Sequence, residues 1–240
     1  MDLEMLERPM IRILTLAALL MAAALPVSAG SAEGIAAYNK GDYREAYREL
    51  TAPAERGDAK AQFILGLMHK NGQGVSKNYP LAAKWFKKAA RQGNAEAQYS
   101  LARMYRSGRG VPRNHALAFD WHRKAARQGH AKAQFRLGDM HRRGMGTPED
   151  YALAAKWYAK AADQGYVYAQ NNLGTLYAGG RGVPRDFTIA YMWYSLVGAS
   201  GSKLSLRSLQ TIEKSMTQAQ IATAKEMAAK WKPIKSGPAD

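Results

Sequence analysis

A unit of 36 residues occurs four times in succession in the middle of this chain. The dipeptide Ala-Gln begins at Ala61, Ala97, Ala133 and Ala169. Trp recurs in the same register at Trp85, Trp121, Trp157 and Trp193, and glycine at Gly57, Gly93, Gly129, Gly165 and Gly201. A fixed period of this size belongs to arrays of stacked supersecondary units, because one such unit is too small to bury its apolar face alone. The period therefore predicts a solenoid before any other property is weighed.

Each unit reads as two helices. Ala61, Leu65 and Met68 fall at i, i+4 and i+7, which is one helix face. Their counterparts are Ala97, Leu101 and Met104, then Ala133, Leu137 and Met140, then Ala169, Leu173 and Leu176. Asp58 and Asn94 stand where an N-cap is needed. Gly66, Gly138 and Gly174 lie inside this first helix, with Ala102 at the matching place. Their recurrence predicts the close approach of a neighbouring backbone, since glycine in a helix interior costs about 0.5–1 kcal/mol against alanine. A Gly-x-Gly follows at Gly72, Gly108, Gly144 and Gly180, and it predicts a left-handed helix stop. Without a preceding strand or a Lys-Ser/Thr pair it does not read as a phosphate loop. Asn78, Asn114, Asp150 and Asp186 are in register as caps of the second helix. That helix carries Leu81, Ala82, Trp85 and Ala89 toward the core, and Lys88, Lys124 and Lys160 read as solvent-facing charge.

The run from Ala61 to Gly93, with Gln62, Leu65, Gly66, Gly72, Gly74, Val75, Trp85, Ala89, Ala90 and Gln92, resembles the Sel-one-like repeat family, a branch of the tetratricopeptide-like solenoids. The resemblance covers roughly residues 57–200. Departures are small: Ala102 replaces a glycine, Thr147 a valine, and Leu196 to Ser200 the usual Lys-Ala-Ala-x-Gln. The resemblance implies an all-α, right-handed α-solenoid of tandem helix-turn-helix repeats, two antiparallel helices in each, acting as a protein-interaction scaffold and not as an enzyme.

The flanking segments suit caps, which a solenoid needs at its ends. Residues 30–56 read as an N-terminal capping half-repeat, with Tyr43, Ala46 and Leu50 at i, i+3 and i+7. Residues 201–235 read as C-terminal capping helices, the last opened by a capping box at Thr217 and Gln220 and ended by Pro233. Residues 236–240 form a tail. Residues 1–29 read as a signal peptide: Arg8 and Arg12 form a basic flank, residues 13–25 an apolar run, and Val27, Ser28 and Ala29 a small-residue cleavage site after Ala29. The run is short for a spanning helix, which needs about 20 residues. Acidic Asp2, Glu4 and Glu7 ahead of that flank make Met10 an alternative start. The expected location is periplasmic or secreted, with membrane attachment only through an uncleaved signal.

The charge balance is strongly basic, 35 Lys+Arg against 19 Asp+Glu, a formal net charge of +16. Cleavage after Ala29 raises it to +17, since two basic and three acidic side chains leave. Such a charge favours anionic partners, while the export signal argues against nucleic acid. There is no cysteine, so disulfides and thiolate chemistry are excluded. His69 and His141 occupy the register position of Tyr105 and Tyr177, which reads as packing and not as metal ligation. His115 and His122 have no acidic partner at ligand spacing, and no nucleophile motif occurs. No catalytic residue, metal or cofactor is expected.

Stacking converts a repeat position into a ladder. Lys70, Arg106 and Arg142 form one, ending at Ala178, with Arg103, Arg136 and Arg143 nearby on the same helices. Arginine suits bidentate contact with carboxylates, and a solvated basic face is the competing reading. Phe63, Tyr99 and Phe135 make an aromatic ladder, read first as seam filling and second as binding surface. The expectation is an exported, non-catalytic adaptor whose groove binds a protein or acidic peptide segment through these residues. An anionic envelope polymer or lipid surface is the alternative partner, and an envelope hydrolase a second alternative.

Overall fold

The computed structural model describes residues 29–234, and these hold twelve α-helices and no strand. Residues 1–28, with the apolar run assigned to the leader, lie outside the described residues, as do residues 235–240, while the expected cleavage point after Ala29 falls at the start of the first helix. The chain divides into two units, residues 1–88 and 89–240.

The first unit contains α1 (Ala29–Lys40), α2 (Tyr43–Glu55), α3 (Ala59–Asn71) and most of α4 (Tyr79–Arg91). Its core gathers Ala46, Leu50, Ala61, Leu65 and Met68, each fully buried. A methyl added to Gly34 would come within 2.6 Å of Leu50, so glycine there lets α1 lie close against α2. The second unit contains α5 (Ala95–Ser107), α6 (His115–Arg127), α7 (Ala131–Arg143), α8 (Tyr151–Asp163), α9 (Val167–Gly179), α10 (Phe187–Ala199), α11 (Lys203–Glu213) and α12 (Gln218–Lys230). Here the expected stripes, from Ala97 to Leu176, are all 5% exposed or less.

The caps form where the sequence places them. Asp58 and Asn94 accept from the backbone N–H of Ala61 and Ala97, both at 2.8 Å. Asn78, Asn114, Asp150 and Asp186 do the same for the second helices at 2.8–3.0 Å. Each such cap contributes about 1 kcal/mol. The first glycine of every Gly-x-Gly is left-handed and ends its helix, and the second is left-handed as well. The second also permits contact: a methyl on Gly146 would come within 2.4 Å of the His115 carbonyl oxygen, and one on Gly182 within 2.2 Å of the Tyr151 backbone. The Ala-Gln amide explains its own recurrence. Gln62, Gln98, Gln134 and Gln170 donate from Nε2 to the carbonyls of Ala54, Ala90, Ala126 and Ala162 at 2.9–3.2 Å. Each gives a second donor to a helix-end carbonyl that also accepts from the backbone N–H of Gly57, Gly93, Gly129 or Gly165. Gln128 and Gln164 then donate to the side-chain oxygens of Gln98 and Gln134, 30 residues earlier.

The helix-interior glycines answer to rings, with backbone only a secondary neighbour. A methyl on Gly66 would lie 2.6 Å from Phe86, on Gly138 2.8 Å from Tyr158, and on Gly174 3.0 Å from Tyr194. The carbonyls of Ala154 and Ala190 come next, at 3.1 and 3.3 Å. Twenty residues after Ala102 stands His122, whose five-membered ring is smaller, so the one repeat with a methyl on the first helix has the reduced ring on the second. The lysines of the second helices are exposed as expected, but each lies over the tryptophan three residues earlier, at 4.5 Å for Lys88, 4.4 Å for Lys124 and 4.9 Å for Lys160. The capping box at Thr217 and Gln220 is present, α12 ends at Lys230 before Pro233, and Trp231 packs edge-on against Trp193.

Candidate interaction site

Two of the nine residues singled out from the sequence, Phe63 and Lys70, lie on α3 in the first unit. Phe63 is half-buried against Phe86, with ring centroids 5.8 Å apart. The other seven lie in the second unit on α5 and α7. Phe135 is 8% exposed and packs on Tyr158 and Tyr166, so its ring belongs to the core. Tyr99 is half-buried between His122 and His130, stacked on the latter at 4.8 Å.

The arginines separate into two sets. In the third repeat, Asp139 is buried and pairs with both Arg142 and Arg143, at 2.8 and 3.0 Å. Arg142 also donates from Nε to the Tyr158 hydroxyl at 3.2 Å. Burial acts to lower the Arg142 pKa, but the hydrogen bonds from Asp139 and Tyr158 outweigh it and hold the guanidinium above its ordinary value. These two arginines share the single carboxylate of Asp139 within their own repeat.

The second repeat carries the same ladder position without a carboxylate ion pair of its own, and Asp139 and Tyr99 offset only part of the repulsion on Arg106. Arg106 is the register equivalent of Arg142. Where Asp139 stands beside Arg142, Arg103 stands beside Arg106, and where Tyr158 offers a hydroxyl, His122 offers a shorter ring. Arg136, from α7, joins them. Among the described residues none of Arg103, Arg106 and Arg136 has a carboxylate ion pair, although acidic partners are found for Arg48, Arg123, Arg142 and Arg143. The Nε atoms of Arg106 and Arg136 are buried without a hydrogen-bond partner. Burial, then Arg136 and Arg103, pull the Arg106 pKa below its ordinary value. Arg103 is exposed, lying over the Tyr99 ring at 5.8 Å, and Arg136 lies over Phe135 at 5.2 Å.

His122 sits beneath this group and was not expected from the sequence to matter. It is fully buried, and neither ring nitrogen has a partner. Burial, followed by the charges of Arg106, Arg136, His130 and Arg103, pushes its pKa down to about 3, so it is neutral at physiological pH. The 36-residue register held the signal, because Phe86, Tyr158 and Tyr194 occupy the same position. His130 caps α7 by accepting from the Ala133 N–H at 3.1 Å, and its Nε2 lies 3.2 Å from Glu96. That contact lowers the Glu96 pKa and keeps the one nearby carboxylate on α5 occupied. His69 and His141 pack edge-on against Tyr47 and Phe119. Among the described residues no three His, Cys, Asp or Glu converge as metal ligands, and no helix is long and apolar enough to cross a membrane.

A cleft of about 560 Å³ opens farther along the second unit, over Leu176, Phe187 and Ile212. Arg142 reaches its edge but is committed to Asp139 and Tyr158. Arg103, Arg106 and Arg136 offer donors for oxyanions.

The Sel1 repeat matches residues 59–94, 95–130, 131–166 and 167–202. Among solved structures, a protective antigen present in uropathogenic Escherichia coli strains and displaying an SLR fold is 33% identical, with a TM-score of 0.76. The match covers 90% of this chain and 48% of that one, so this chain spans about half the length of that relative. A Sel1 repeat protein from Oxalobacter formigenes is 32% identical with a TM-score of 0.73, over 86% of this chain and 87% of its own. No curated protein matches the chain. Proteins of this repeat class typically mediate protein–protein interaction and are generally non-enzymatic. With four tandem matches over more than half its length, this chain belongs to the Sel1 repeat family.

Proposed function

We propose that this protein is an exported, non-catalytic adaptor that captures an acidic segment of a partner protein on the first-helix face of its second and third repeats. The observation that carries the reading is the set of three arginines, Arg103, Arg106 and Arg136, left without carboxylate ion pairs, while Arg142 and Arg143 share Asp139. Burial, then Arg136 and Arg103, disfavour the charged Arg106 more than Tyr99 and Asp139 offset, and an arriving carboxylate relieves that repulsion while forming charge-assisted hydrogen bonds. The net charge of +16 adds steering toward acidic partners. Export is inferred from the leader alone, and mass spectrometry of the protein recovered from the periplasm should find an N-terminus at Gly30.

The test is a crosslinked pull-down from the periplasmic fraction with the wild type and with Arg106→Glu/Arg136→Glu, at low and high salt. A partner that survives high salt with the wild type and is lost with the double variant supports the adaptor. Equal capture by both proteins refutes it. A broad set of acidic species that washes off with salt would transfer the reading to an anionic envelope polymer.

A further inference from the structure

We infer that the second repeat presents a discrete seat for one carboxylate, formed by Arg106 with Arg136 of the third repeat near the buried ring of His122 and rimmed by Arg103, and that it anchors the partner through a pair of adjacent acidic residues. The inference rests on the adaptor reading and sharpens it, from a charged face to one place on it.

Three observations converge there. The first is the pair of Nε donors on Arg106 and Arg136, buried and unpartnered. Buried donors are nearly always satisfied in native proteins, and one left unsatisfied is destabilising. The second is His122, fully buried with both ring nitrogens unpartnered. Neutral, it adds no further positive charge beside the arginines. The third is internal to the chain. The third repeat shows what fills an equivalent position: the buried carboxylate of Asp139 meets Arg142 at 2.8 Å and Arg143 at 3.0 Å, and Arg142 is completed by the Tyr158 hydroxyl. In the second repeat Arg103 replaces that carboxylate and His122 replaces that hydroxyl. The second repeat thus lacks the acid that its sister supplies from within, and the partner is inferred to supply it.

Arg103 fixes the preference for a second acid. It is exposed and lies over Tyr99, at the rim and not in the seat. One carboxylate bound by Arg106 and Arg136 leaves Arg103 free to meet the carboxylate of an adjacent residue. Glu96, the carboxylate nearest on α5, is held at His130 and does not compete.

The experiment is a fluorescence-anisotropy titration of a labelled Gly-Glu-Glu-Gly peptide, with Gly-Gln-Gln-Gly as its neutral control. The proteins are the wild type, Arg103→Asp and Arg142→Gln, with far-ultraviolet circular dichroism confirming the fold of each. Arg103→Asp gives the second repeat the internal acid of the third. It should weaken the Glu-Glu peptide by about tenfold or more, as expected for loss of charge-assisted contacts. Arg142→Gln should change affinity by less than about threefold, because Arg142 is already paired. If the acidic peptide binds the wild type and Arg103→Asp equally, the seat is wrong and the adaptor reading stands. If it binds no better than the neutral peptide to the wild type, both fall.

Discussion

Replacing Gly138 by alanine sets two known effects against each other, and the structure says which prevails. Alanine is the better helix former by about 0.5–1 kcal/mol, so propensity alone predicts a more stable protein. The added methyl would lie 2.8 Å from both Cδ1 and Cε1 of Tyr158 and 3.1 Å from the Ala154 carbonyl. Carbon atoms prefer about 3.5–4.0 Å, so the ring would have to retreat by roughly 0.7–1 Å. It has nowhere to go. Tyr158 is fully buried among Phe135, Ala161 and Ala162, and its hydroxyl is tied to Arg142. Overpacking of this kind costs about 1–3 kcal/mol, which leaves Gly138→Ala destabilised by about 1–2 kcal/mol. The reverse change, Ala102→Gly, forfeits helix propensity and a buried methyl worth about 0.8 kcal/mol, so it should also destabilise. Adding Tyr158→His to Gly138→Ala carries the pairing of the second repeat into the third. The double variant should lose less than the sum of its two single losses, by about 1 kcal/mol or more. Urea unfolding followed by circular dichroism reads all four proteins. A raised midpoint for Gly138→Ala would show that ring contact is not what requires glycine in these helices.

Acid should weaken the fold through His122. Its folded pKa of about 3 lies below the unfolded value of 6.5, so stability declines as pH falls from about 6.5 toward 3, by on the order of 5 kcal/mol in full. His122→Phe should flatten that part of the stability–pH curve in urea titrations, and an unchanged curve would contradict the buried, neutral imidazole. Gln134→Ala should cost about 1–3 kcal/mol, because it removes one of the two donors to the Ala126 carbonyl, which keeps the Gly129 N–H, and the acceptor of Gln164. A urea midpoint within error of wild type would argue that the amide ladder is incidental. Lys124→Ala should shift stability by less than about 1 kcal/mol, since its contact with Trp121 is at an exposed site, and a larger loss would mean that the Lys–Trp pairs support the packing.

The repeat carried most of the fold in plain view. Caps at Asp58, Asn94, Asn114 and Asp186 can be read from residue type and register, because an N-cap is a local bond over three residues. The turns at Gly72 and Gly144 are legible for the same reason. The neighbour of Gly66 was not, since the ring of Phe86 comes from the following helix and only a fixed inter-helix distance reveals it. Aligning Phe86, His122, Tyr158 and Tyr194 against Gly66, Ala102, Gly138 and Gly174 shows the exchange once the contact is known. The ladder of Lys70, Arg106 and Arg142 looked uniform as a charge pattern. Its division depends on Asp139, three residues before Arg142 and four before Arg143, and that spacing was available in the sequence. The burial of His122 was not, because an imidazole on a helix reads as polar until the rings around it are placed.

The central claim is that the second repeat lacks, and its partner supplies, the carboxylate that the third repeat carries within itself. Nitrogen-15 NMR of the arginine side chains, on the protein titrated with the Gly-Glu-Glu-Gly peptide, observes those donors directly. The account predicts that the Nε–H signals of Arg106 and Arg136 shift and gain protection from exchange on binding, while that of Arg142, already donating to Tyr158, stays in place. Shifts spread evenly over exposed arginines, with Arg106 and Arg136 unmoved, would contradict it.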